Sequence, residues 1–205
     1  MRRHVAHHGE REIDFARRLL PNLRSLVAVE RDPEAVEVLR ANLQKAVLPG
    51  VETSAVETSV QSWCGPDEPV DAVLMLNLMN SKNITTADRK ALFQKLMTQY
   101  VNDGGVVVIA NSVNSVPSGY VLLSERFGKP LVDYDELEQE MVAAGFRVVY
   151  RQDYKLSRDV SNPSSDIVKF LRVVTGHSES EARAATDDIQ PNMNILANRL
   201  GIFTK

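Results

Sequence analysis

Cysteine is nearly missing from this chain of 205 residues: Cys64 stands alone, so an internal disulfide framework is excluded. Doing without disulfides suits a reducing compartment, and a cytoplasmic location is expected. Cys64 itself reads as a small, semi-buried hydrophobe rather than a nucleophile. There is no apolar run as long as a membrane span or a secretory signal core. A strong excess of charge of one sign is missing too. A net charge of -3 leaves no basic footprint for nucleic acid and no polybasic membrane patch. Repeats, low-complexity stretches and linkers are absent. The first nine residues, MRRHVAHHG, hold His4, His7 and His8 but no cysteine or suitably spaced acid, so no metal is expected. What is present is the balance of a globular protein: 43% apolar and 25% charged residues. The length suits a single domain over 1–205 with a sizeable core.

The chain is organised around 25–42, SLVAVERDPEAVEVLRAN. Leu26–Val29 is a near-continuous apolar run, the mark of a strand buried on both faces of a parallel sheet. It stops at Glu30. Asp32 then caps a helix that opens on Pro33, with Ala35, Val36, Leu39 and Leu43 on one face. A carboxylate where a buried parallel strand meets the next helix lies at the edge where open α/β sheets bind ligands. Such a carboxylate can accept two hydrogen bonds from a ribose diol, or can simply sit at the positive end of a helix dipole.

Before this stretch a short helix runs from Glu10 to Pro21. After it, strands are expected at Val51–Glu57, Val70–Leu76, Val106–Ala110, Arg147–Leu156 and Met193–Thr204. Helices are expected from Thr85 or Thr86 to Tyr100, at Asp133–Ala144 with Gly145 closing it, and at Ser165–Thr175. The first of these should turn Ala91, Leu92, Leu96 and Met97 inward. Asn102–Gly105 reads as a tight turn. Strands alternating with helices argue for an α/β fold, a doubly wound, parallel-rich, Rossmann-like sheet. Polar residues close its strands in succession: Glu30, Thr58-Ser59, Asn77 and Asn111-Ser112. They form the rim of a nucleotide-type crevice.

Three segments resemble the class I S-adenosylmethionine-dependent methyltransferases: Val27–Glu30, Val70–Asn77 and the Gly104-Gly105 turn into Val106–Ile109. Glu12–Asp14, Glu57–Ser59, Ser118–Tyr120, Asp135–Phe146 and Asp166–Val173 resemble, more narrowly, the histamine N-methyltransferase group. The likeness implies an enzyme that methylates a small-molecule amine with S-adenosyl-L-methionine as cofactor. By it Glu30 would hold the cofactor ribose, Ser59 would sit near the adenine, and Leu76 would line the same pocket. Asn77 and Asn198 would orient the amine, while Tyr120 and Phe170 would pack its apolar body. No acid–base catalyst is required, since the protein supplies proximity and orientation. A monomer is expected, with no nucleic-acid or membrane partner.

The same resemblance implies a buried first strand and a glycine-rich loop before Glu12. Val5–Arg11 stands there, with Gly9 as its one glycine. The expectation is therefore a chain truncated at its N-terminus, without the central first strand. Asn80, Ser81 and Ser124 fall where the group has aromatic walls, and Ala35 where it has an amide. A non-catalytic, methyltransferase-like protein is the alternative these departures favour. A nicotinamide-dependent oxidoreductase also places an acid at a strand end, but needs a glycine fingerprint that nothing after Gly9 provides.

Overall fold

The computed structural model describes residues 13–14, 18, 22–46, 48–76, 78–80, 84–112, 133–157, 178–181, 183–184 and 195–205. They fall into two compact units, Met1–Pro69 and Val70–Lys205.

In the first unit, β1 (Ser25–Glu30) pairs in parallel with β2 (Glu52–Glu57). The ladder puts Ala28 beside Ala55 and Glu30 beside Glu57. Backbone bonds extend it at both ends, Glu52 N to Arg24 O at 2.8 Å and Thr58 N to Glu30 O at 2.9 Å. Between the strands runs α1 (Pro33–Lys45), capped by Asp32, whose carboxylate accepts from Glu34 N at 3.0 Å. Pro33 opens the helix, where its missing N–H costs nothing. Ala35, Val36, Leu39 and Leu43 are its buried face, as their spacing predicts. Leu39 and Leu43 cluster with Ile13 against Leu26, Ala28 and Ala55 of the strands. Each buried leucine contributes about 1.5–3 kcal/mol of transfer free energy.

The second unit is a four-stranded sheet in the order β3-β4-β6-β5. Its strands are β3 (Val70–Leu76), β4 (Val101–Ser112), β5 (Arg147–Ser157) and β6 (Ile195–Thr204). β3 and β4 are parallel; β6 enters between β4 and β5, antiparallel to both. The fold is α/β as expected, with a mixed sheet in this unit. The apolar, β-branched content of β6 identifies a strand but says nothing of its direction or neighbours, which non-local pairing decides.

Three local differences have physical causes. The 102–105 turn lies inside the span of β4: β3 advances two residues between its pairings with Val101 and Val106, while β4 advances five. Gly104 takes φ +79° to carry the excursion, a conformation glycine adopts without steric cost. The helix expected through Tyr100 is α-helical as α2 (Thr86–Lys95), then widens into a π-turn over Leu96–Tyr100. The buried positions in that stretch are Arg89, Leu92, Phe93, Leu96 and Tyr100, with Ala91 outside them. Arg89 faces inward because α3 (Tyr134–Ala143) presents Glu140 to it, and the two groups bond bidentately, 2.8 Å at both contacts. Asp133 caps α3, and Gly145, at φ +112°, follows its C-terminus.

The expected helix at Ser165–Thr175 and the segment 1–12, where the first strand was sought, lie outside the described residues. Among the described residues, no helix is long and apolar enough to cross a membrane.

Candidate functional site

Each unit carries polar groups at the carboxyl ends of its parallel strands. At the end of β1, the Glu30 side chain folds back over the turn into α1. Its Oε1 accepts from Arg31 N at 2.7 Å and from Asp32 N at 3.0 Å. These two bonds fix the carboxylate, while Oε2 takes no hydrogen bond among the described residues. The group is thus oriented by the backbone with one acceptor oxygen left over. Ser59 stands at the same edge, two residues beyond β2. Its carbonyl accepts from Ser62 N and Trp63 N, and its hydroxyl donates to Ser62 Oγ at 3.0 Å. That hydroxyl also accepts from Ser62 N at 3.1 Å, so it is engaged in shaping the turn.

In the second unit, Leu76 ends β3 beside Ala110 of β4. Asn111 follows on β4, opposite Arg199, and Ser112 pairs with Asn198 of β6. Leu76 and the backbone of Asn198 thus flank the last three residues of β4. The side chain of Asn198 lies outside what the structure describes, as do Asn77, Tyr120 and Phe170.

Two features at this rim go beyond the sequence reading. Asn111, 1% exposed, leaves both Nδ2 and Oδ1 without a hydrogen-bond partner among the described residues. Arg199, beside it, is a junction of three elements. Its Nε and Nη2 donate to Asp153 of β5 at 2.5 and 3.0 Å, and its Nη1 donates to Asp135 of α3. Its guanidinium also lies 5.3 Å from the centre of the Tyr134 ring, whose hydroxyl donates to Ile109 O at 3.0 Å. The hydrogen bond from Arg199 holds the Asp153 carboxyl below the usual carboxylate range, and bonding to Asp153 raises the Arg199 pKa in turn. Asn198 was singled out in the sequence; Arg199, the residue that anchors its strand, gave no signal, because Asp153 and Asp135 are distant in the chain.

Comparison with known proteins gives structural matches. A candidate methyltransferase from Bacillus halodurans C-125 superposes with a TM-score of 0.68 at 12% identity, over 98% of this chain and 90% of its own. A SAM-dependent methyltransferase from Archaeoglobus fulgidus gives 0.55 at 15% identity, over 96% and 94%. The chain has the fold of the class I methyltransferases. The [4+2]-cyclase SpnF shares it too, with a TM-score of 0.60 at 14% identity over 96% of this chain and 81% of its own. One fold therefore serves more than one chemistry, and the reaction has to be argued from the site. No protein-family model matches the chain, and no curated protein does.

Proposed function

We propose that this chain is an S-adenosylmethionine-dependent methyltransferase acting on a small-molecule amine, as a single cytoplasmic domain and a monomer. The observation that carries the reading is the Glu30 carboxylate. It sits at the carboxyl end of a parallel strand whose residues are half-buried or exposed, in a methyltransferase fold, held by two backbone N–H groups with Oε2 left to accept. Such a carboxylate suits a ribose diol, because its orientation is fixed before any ligand arrives. On this reading Glu30 holds the ribose, Ser59 lies near the adenine through its backbone turn, and Leu76 gives the cofactor an apolar contact. Asn77 and Asn198 orient the amine, and Tyr120 and Phe170 pack its body. When bound, the cofactor supplies a methyl group activated on a sulfonium. The chain contributes position, orientation and exclusion of water, which are the main demands of such a transfer.

Calorimetric titration of S-adenosylhomocysteine into the 205-residue chain tests this, with circular dichroism on the same sample. Saturable binding that Glu30→Ala weakens about tenfold to a hundredfold is expected, the loss of one or two hydrogen bonds to a charged acceptor. A folded chain that binds none would favour the second reading, a non-catalytic methyltransferase-like protein. That reading draws on Val5–Arg11, where one glycine stands in place of a glycine-rich loop.

A further inference from the structure

We infer that Asn111 is a ligand-reading residue, and that its ligand presents a neutral hydrogen-bond donor and acceptor side by side, as a carboxamide does. The side chain is 1% exposed at the carboxyl end of β4, one residue before the strand ends at Ser112. Neither Nδ2 nor Oδ1 has a partner; among the described residues it is the one side chain whose whole polar end is buried and unpaired. Burying an amide this way is unfavourable, and folded chains rarely retain one without a reason. Its neighbours do not supply that reason. Arg199 stands opposite in the ladder, but directs Nε and both Nη groups to Asp153 and Asp135. Tyr134, beneath that guanidinium, gives its hydroxyl to Ile109 O. Among the described residues nothing partners Asn111, and the inference assigns that place to a ligand.

The chemistry of the amide sets the ligand class. Oδ1 accepts and Nδ2 donates, so a matching group offers one N–H and one lone-pair atom in the same plane. A carboxylate would leave Oδ1 unpaired, and an ammonium would leave Nδ2 unpaired. A carboxamide satisfies both, as does the amino-imine edge of an aminated heteroaromatic ring. The inference stands apart from the amine acceptor of the proposed function, since recognition of this ligand needs neither cofactor nor methyl transfer.

Benzamide, benzoate and benzylamine share one ring and differ in this group, so they are the probes. Each is titrated into the isotope-labelled chain while the side-chain NH2 resonances of Asn111 are followed, identified by their loss in Asn111→Leu. Benzamide should shift them saturably, and the other two should bind at least about tenfold more weakly, one unmatched group each. Asn111→Leu should abolish benzamide binding and melt about 2–4 °C higher, since it removes an unpaired buried amide at similar volume. Equal binding of the three probes, unmoved Asn111 resonances, or a lower melting temperature for Asn111→Leu would overturn the inference. S-adenosylhomocysteine is titrated separately. Its binding without benzamide binding sinks this inference alone, whereas benzamide binding without it sinks the methyltransferase reading alone.

Discussion

Replacing Glu140 by leucine should be among the most damaging single changes in the second unit. The Arg89 and Glu140 residues are 5% and 6% exposed, and the guanidinium spends Nε and Nη2 on the two carboxylate oxygens at 2.8 Å each. Without the carboxylate, Nε loses its acceptor. Nη2 keeps Thr86 Oγ1 at 3.2 Å, and the nearest remaining acid, Glu136, is 3.8 Å away and half exposed. Leaving a buried charge so poorly compensated costs about 3–5 kcal/mol. Total stabilities of domains run at about 5–15 kcal/mol, so the single variant should be marginal. Removing both charges together in Arg89→Met/Glu140→Leu should restore most of the loss, because the pair's attraction is largely offset by its desolvation. Urea unfolding followed by far-ultraviolet circular dichroism reads both effects as shifts in midpoint at constant slope. The reasoning is refuted if Glu140→Leu costs less than about 1 kcal/mol, the range of an exposed pair. It is refuted equally if the double variant is no more stable than the single, which would make packing the cause rather than an unpaired charge.

Other consequences are cheaper to check. Gly201→Ala should destabilise by about 1–3 kcal/mol in the same assay, since its Cβ would overlap the Tyr134 hydroxyl and lie 2.9 Å from Phe203; an unchanged midpoint would show that Tyr134 moves aside freely. The Asp153 carboxyl is held below its ordinary 3.8 by Arg199. A depressed folded-state pKa gives stability that is present above the unfolded value and lost as pH falls through the folded one. Asp153→Asn should therefore lose midpoint at about pH 7 and little at about pH 2, and an equal loss at both would count against the ion pair. The effect should be small, because Asp153 is 59% exposed. Glu30→Gln keeps an oxygen for the Arg31 and Asp32 N–H groups, so it should leave the fold unchanged while weakening S-adenosylhomocysteine; equal affinity would remove Glu30 from the ribose.

What was legible in the sequence is what short range decides. Asp32 and Pro33 announce the start of α1, and a 3.6-residue spacing picks out Ala35, Val36, Leu39 and Leu43 as its buried face. The run 70–76 gives β3 residue for residue. Ala91 shows where this logic fails. Spacing alone sends it inward, yet the buried set shifts to Arg89, Phe93 and Tyr100 because Glu140, 51 residues away, neutralises a cation inside. The insertion of β6 between β4 and β5, and the capture of Arg199 by Asp153 and Asp135, are decided by long-range pairing in the same way. Apolar patterning carries no record of which distant segment supplies a partner.

At the candidate site the legible part was position, and the illegible part was hydrogen-bonding capacity. The polar residues that close the strands identify the rim, but several of them are spent locally. Ser59 satisfies its own turn, and the Glu30 Oε1 satisfies the start of α1. What remains, among the described residues, is an unshared oxygen on Glu30 in one unit and a wholly unpaired amide on Asn111 in the other. Structure-building polar groups end with their bonds made, as Asp32, Thr85 and Asp133 do at their helix caps. Groups at a sheet's carboxyl edge with capacity to spare are the places where the proposed ligands would bind. The two differ in kind: a fixed anion suits hydroxyl donors, and a neutral amide suits a ligand that both gives and accepts.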